Sequence, residues 1–477
     1  MRGPLRSIAV LATLALTLTV PAPASARQQD GPYKNPTVPR ATDGQVDNDA
    51  RVRADFGLRS DVGYVKKLYD DAHSGVLQAS TTEGAILTAA EEALVRARSN
   101  EVDRIVAVAG DYFSAHRDQY SGMWVDQAKG YVGIGATDNL TAHQQALGAR
   151  IGVATVQWDV VAMDVTLDHL LDLQRQVDLL AADLRAQSID ITSTSIDEEE
   201  NKVYVAAASD TTTLRSLLTE KFSAAAPIAV EYEAQARLEG VAGTNSPPFR
   251  GGQQLSRSDL PTTMRYLCTS AFVAYQVERL DAAIFSINYF LTTAGHCETT
   301  SQNVGSVGAW WKQGDVTIGQ SQRNVFRNGS IADAMAIPIH RVFKSNDVAI
   351  DPGVYRDIKC MMTSDIKSGT QGQIEMISGA TTGGYRTGRL LRTHASVTYT
   401  DRATGRTTTL PNQHMTNYYS QGGDSGASVF GTRECTYRAD GIHSGGTEPG
   451  SPGPNRKYYS PIFNVTKQLG LSGVEVS

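Results

Sequence analysis

Gln421-Gly422-Gly423-Asp424-Ser425-Gly426 sets one serine among residues with almost no side-chain bulk. Glycine lets the backbone pass close to a substrate carbonyl. A nucleophilic serine needs such a loop, with two N–H groups aimed at a developing oxyanion. With Ser425 as nucleophile, its own N–H and that of Gly423 are the natural donors. Alone, the string reads equally well as a turn, because Gly, Asp and Ser are the commonest turn formers.

Three further stretches change that balance. Thr293-Ala294-Gly295-His296-Cys297 follows the apolar run Tyr289-Phe290-Leu291 and puts a histidine at a small-residue turn. A His so placed suits the task of taking a proton from Ser425. Ile331-Ala332-Asp333-Ala334-Met335-Ala336-Ile337 places an acid at the mouth of an apolar strand. Such an acid is costly unless it accepts hydrogen bonds, and holding a His in one tautomer is one such use. Asp347, in Asn346-Asp347-Val348-Ala349-Ile350, is a rival of the same appearance. Gly441-Ile442-His443-Ser444-Gly445-Gly446-Thr447 reads either as a strand edge that pairs with an extended substrate or as a plain hairpin edge.

The chain has 477 residues, 41% of them hydrophobic, enough for two or three domains. Its net charge of −6 comes without any dense Lys/Arg run, which argues against nucleic acid as a partner. Basic residues at Met1–Arg6, an apolar run from Ile8 to Val20 and Ala24-Ser25-Ala26 form a secretory signal peptide over 1–26. The apolar run is too short to span a bilayer, so an exported protein without a membrane anchor is expected. All four cysteines, Cys268, Cys297, Cys360 and Cys435, lie in the C-terminal half. Export predicts two disulfides, and the sequence allows three pairings. The Cys and His spacing shows no metal-site pattern, so neither metal nor cofactor is expected.

Residues 27–119 read as a polar, flexible leader to about residue 60 followed by helix from Val62 to Asp118. Residues 120–240 read as an α+β region. It has a hairpin around Gln127–Gly130, a long helix over 141–186, and then a β-β-α-β unit with an acidic turn at Asp197–Asn201. The two hairpin-plus-helix units suggest an internal duplication. Residues 241–252 shift to Gly, Pro and small polar residues and mark a linker. From 253 to 477, short β-branched and aromatic runs alternate with Gly-rich turns, the texture of an all-β domain.

The order His, Asp, Ser is that of the chymotrypsin-like double β-barrel, and it excludes the subtilisin and α/β-hydrolase orders. Residues 265–465 resemble trypsin-like serine peptidases of the bacterial streptogrisin and α-lytic type. The resemblance is carried by Cys268–Phe272, Thr293–Cys297, Asp333–Ile337, Ser378–Gly383, Gly422–Gly426 and Gly441–Gly446. It implies His296 as general base, Asp333 as its orienting partner, Ser425 as nucleophile, and Gly423 and Ser425 as oxyanion donors. The place of Ser378–Gly383 favours Asp333 over Asp347. The resemblance also implies the pairs Cys268–Cys297 and Cys360–Cys435, each stabilising by roughly 3 to 5 kcal/mol. It gives the N-terminal half a meaning too, as a pro-region that assists folding and blocks the site. A secreted, monomeric zymogen is expected, with its own pro-region as partner, processing in or near the linker over 241–252, and proteins or peptides as substrates.

Two features depart from the family. Ala427 follows Gly426 where a second glycine is usual, and Tyr419 stands six residues before Ser425 where an acid would select Lys or Arg. The substrate pocket is expected from Tyr419, His443, Ser444, Gly445, Gly446 and Thr447. Glutamate-selective relatives carry a His at the place of His443, but a Ser where this chain has Gly422. An acidic or uncharged residue before the cut bond is therefore expected. A catalytically silent homologue that binds a protein through the same cleft is the alternative.

Overall fold

Thr88 and Glu91 open a helix with a capping box, each side chain bonding the other residue's backbone N–H. This helix belongs to a computed structural model that describes residues 41–81, 83–238, 248–258, 267–279, 285–298, 305–314, 316–351, 354–363, 369–400, 405–432, 435, 437–448 and 450–477. The expected signal peptide and residues 241–247 of the expected linker lie outside the described residues. Residues 248–252 are described and packed: Phe249 is buried, and a side chain on Gly251 or Gly252 would collide with Ala271 or Ser378.

The first half contains α1 (Asp43–Asp55), α2 (Val62–His73), α3 (Ala89–Phe113), β1 (Tyr120–Asp126), β2 (Tyr131–Ala136), α4 (Leu140–Ile151) and β3 (Gln157–Ala162). It continues with α5 (Leu167–Ala186), β4 (Ile191–Asp197), β5 (Lys202–Ala207), α6 (Thr211–Phe222), β6 (Ile228–Tyr232) and β7 (Arg237–Leu238). Two readings of the sequence change. The leader is helical from Asp43, because α1 buries Val46, Ala50 and Val52 and anchors Arg53 on Glu91 at 2.5 Å. The helical stretch 62–118 consists of α2 and α3, with residues 74–88 between them. The long helix expected over 141–186 breaks at Gly152, which has φ +67°, and Trp158, Val160 and Val161 then form β3.

That extra strand completes the duplication. Units α3-β1-β2-α4-β3 and α5-β4-β5-α6-β6 share one order, each with an antiparallel hairpin and a parallel third strand. Each unit has its own core, around Val102, Ile105, Val132 and Ile134 in the first and Leu170, Val177, Val203 and Val205 in the second.

The second half is strand-dominated, as expected. It includes β8 (Val273–Arg279), β9 (Phe285–Thr293), β10 (Met335–Ile339), β11 (Ile374–Gly379), β12 (Gly384–Thr400), β13 (Thr407–Thr416), β14 (Ser428–Gly431), β15 (Arg438–Gly446) and β16 (Lys457–Pro461), then helix α7 (Ile462–Leu469). One sheet contains β10-β9-β8. Another runs β11-β14-β15-β16-β13-β12, and β11 also pairs with β12, so the pairings return to their starting strand. The same sheet continues from β12 into β4, β5 and β6 of the first half.

Asp178 of α5 sits at this junction and accepts a hydrogen bond from Thr194 Oγ1 at 2.7 Å. Burial pushes its carboxyl from an ordinary 3.8 up to about 6, the bonds from Thr194 and Ser396 opposing only in part. The folded state thus holds a proton that the unfolded chain releases, so this group makes stability fall as pH rises from about 4 to 6. Asp178→Asn removes the effect. Thermal unfolding should show it more stable than wild type at pH 7, by on the order of 2 to 3 kcal/mol, with the gain gone by about pH 4.

Candidate active site

Residues Gly295–Glu298 form one tight helical turn after β9. A side chain on Gly295 would meet the Ala334 carbonyl oxygen at 2.8 Å, so only glycine brings this turn against the start of β10. Asp333 lies just ahead of β10 and is fully buried. Its Oδ1 accepts the His296 backbone N–H at 2.9 Å, and its Oδ2 lies 2.5 Å from His296 Nδ1. These two bonds offset the cost of burying the carboxylate and hold the ring in one orientation. The acid is fixed in turn: its own N–H donates to Ser460 Oγ at 2.8 Å, and Ser460 donates to Gln413 Oε1 at 2.7 Å. No sequence motif marks Ser460 or Gln413, because both arrive from distant strands. The rival Asp347 instead faces Arg250 at 3.2 Å and accepts from Ser345.

The serine loop is built from backbone bonds to one carboxylate. Asp424, fully buried, accepts from Thr381 N at 2.9 Å, Gln421 N at 3.0 Å and Thr382 N at 3.1 Å. Gly423, at φ +106°, and Gly426, at φ +86°, take backbone conformations that favour glycine. A side chain on Gly426 would collide with Thr293 Oγ1 and Thr269 O, which sets the residue after Ser425 directly against the histidine turn. Thr269 bonds to the loop twice, by Oγ1 to Gly423 O and by N–H to Ser425 O, each at 2.7 Å. Ala427, the departure from the expected glycine, is fully buried beside Val429 and Tyr418, so its methyl has a place in the core.

Ser425 Oγ donates to Ser444 O at 3.1 Å, while His296 Nε2 is buried without a hydrogen-bond partner among the described residues. His443 and Ser444 are fully buried on β15, and Gly426 N–H donates to His443 O at 2.7 Å. His443 Nδ1 is 3.0 Å from Tyr418 OH. Thr447 is buried at the end of β15 and bonds to Arg456. Tyr419 is exposed, its hydroxyl 3.4 Å from Gln421 Oε1. Strand β7 lies antiparallel on this edge, Leu238 opposite Gly445 and Arg237 opposite Gly446.

Cys268 bonds to Cys297 and Cys360 to Cys435, with Cα separations of 6.3 and 6.1 Å. Cys268, His296 and Cys297 are close enough to suggest a metal group, but the two sulfurs are joined to each other and so offer no thiolate ligands.

No protein-family model matches this chain, and no curated protein is similar to it in sequence. Among solved structures, it is similar to a protease A from Thermobifida fusca at 22% identity, covering 47% of this chain and 97% of that one, with a TM-score of 0.34. A Nocardiopsis protease aligns at 21% identity over 47% and 98% of the two chains, with a TM-score of 0.33. A glutamic-acid-specific serine protease that uses a histidine triad in substrate binding aligns at 20% identity over 48% and 100%, with a TM-score of 0.34.

The Asp424 carboxylate is a structural support that can be removed. Asp424→Ala leaves three loop amides without their acceptor and should destabilise the fold by at least ~3 kcal/mol, read by urea unfolding.

Proposed function

We propose that this chain is a secreted serine endopeptidase, made as a pro-enzyme and built on a chymotrypsin-like double barrel of the streptogrisin and α-lytic type. The observation that carries the reading is the buried Asp333–His296 pair, 2.5 Å apart, in a turn pressed against the Ser425 loop. The ring of pairings from β11 round to β12 supports the barrel, and the two disulfides fit an exported protein.

In this reading Asp333 keeps the His296 proton on Nδ1 and leaves Nε2 as the base. Ser425 Oγ swings from Ser444 O to Nε2, gives up its proton and attacks the peptide carbonyl. Ser444 O is thereby released to accept the substrate's N–H. The N–H groups of Gly423 and Ser425 stabilise the oxyanion, and water activated by His296 hydrolyses the acyl-enzyme. Residues 1–26 act as signal peptide, those from 27 to about 240 as pro-region and 253–477 as the peptidase, with the cut in or near the linker. Strand β7 on Gly445–Gly446 lies where an extended substrate would pair, which supports a precursor blocked by its own chain.

A fluorophosphonate should label the processed protein on Ser425, and His296→Ala should abolish the adduct. Asp333→Asn should cut kcat on peptides roughly ten-thousand-fold. A folded, processed protein that takes no label would favour the silent homologue that binds partners through this cleft.

A further inference from the structure

Lys457 is fully buried on β16, directly opposite Gly446 of β15. Lysine is among the residues least often taken fully out of water, so one beside a candidate substrate edge calls for a physical reason. Its stem lies against the open face of Gly446, where an added side chain would meet Lys457 Cδ at 2.7 Å. Its ammonium donates to Thr447 O at 2.8 Å. The adjacent cation, Arg456, serves the other face of the strand, where it meets Glu231 at 2.5 Å and Glu233 at 2.9 Å. Lys457 thus lies on the face that also carries His443 and Tyr459, paired across β15 and β16.

The register of β7 shows which substrate side chain reaches that face. Residues opposite one another in an antiparallel ladder share a face, and faces alternate along each strand. Leu238 is opposite Gly445 and Arg237 opposite Gly446. The register of β15 skips between His443 and Gly445, so alternation is followed along the substrate strand instead. Its residue two beyond the one opposite Gly446, level with Ser444, turns toward the side of Gly446 and Lys457. The bond after that residue is the one nearest Ser425, whose Oγ is 3.1 Å from Ser444 O.

Resting on the peptidase reading above, we propose that Lys457 selects an acidic side chain before the cut bond. A buried ammonium rewards a carboxylate with a charge-assisted hydrogen bond and disfavours a cationic side chain. In the sequence the residue after Leu238 is Glu239, so an acid-selective site would cut the chain's own Glu239–Gly240 bond. In that cleavage Ser425 Oγ bonds to the Glu239 carbonyl carbon. The C–N bond breaks, and Gly240 leaves as an amine with the proton carried by His296. Water then returns Glu239 as a carboxylate and restores Ser425.

The test uses the secreted, processed protein and a peptide panel varying only the residue before the cut bond. Wild type should favour Glu over Gln, and Lys457→Met should lower that kcat/KM ratio roughly 10- to 100-fold, whereas a merely structural lysine would leave the ratio unmoved. The mature N-terminus should be Gly240, and Glu239→Gln in the full chain should slow its formation. This second variant leaves the pocket intact and carries the test where Lys457→Met does not fold. Ser425 labelling with no preference for Glu over Gln, or an unchanged ratio in Lys457→Met, overturns this proposal alone. No labelling of folded, processed protein overturns the peptidase reading beneath it.

Discussion

The ladder of Arg438–Gly446 is the rail on which the rest of the site depends. One side of β15 pairs with β14 and the other with β16, while its last residues hold β7. The Ser425 loop is tied to it by Gly426 N–H on His443 O, at 2.7 Å. Ser460 on the neighbouring strand receives the Asp333 N–H, so the histidine's partner is referenced to the same ladder. A shift of one residue along β15 would move the serine, the acid and the edge that β7 occupies together. Backbone pairing, more than any side-chain contact, gives the site its dimensions.

The parts of the molecule legible in the sequence were those whose chemistry is local. Gly423 and Gly426 mark a tight loop around Ser425 because their conformations depend on the missing side chains, and both positive φ values follow from that. The hairpin Tyr120–Ala136 and the unit Ile191–Tyr232 followed from alternation and turn residues. Helix α1 was hidden by its polarity: its anchor is Arg53 reaching Glu91, a contact across 38 residues. Strand β3 was hidden inside a pattern compatible with helix, and its parallel pairing with β2 decides its form. Ser460, Gln413 and Lys457 carry no local signal at all. Their meaning comes from what lies opposite them in a ladder, and one sequence does not print its registers.

Charge is handled in the same way throughout. Carboxylates that leave water accept backbone or hydroxyl donors, as Asp333 and Asp424 do, or face arginine, as Glu231 faces both Arg392 and Arg456 at 2.5 Å. Those bonds hold the Glu231 carboxyl below its ordinary value even though burial pushes the other way. Glu198 shows the opposite balance: burial raises its carboxyl despite bonds from Met123 N–H and Thr393 Oγ1. Both acids lie where the two halves of the chain meet. That seam therefore mixes a firmly ionised group, Glu231, with Glu198 and Asp178, which are reluctant to ionise.

The continuation of β12 into β4 bears on what the second half would present to solvent without the first. Losing β4 would bare the margin of β12 around Thr393–Val397, the kind of surface on which chains stack into insoluble arrays. This margin is poorly shaped for such stacking. It skips in register between Thr393 and Ser396, His394 takes a left-handed turn at φ +53°, and Arg392, Thr393 and Ser396 line the gap. The irregularities that make the strand an awkward partner for itself leave it usable by a matched template, so the same residues that dock the first half also guard this margin against self-pairing.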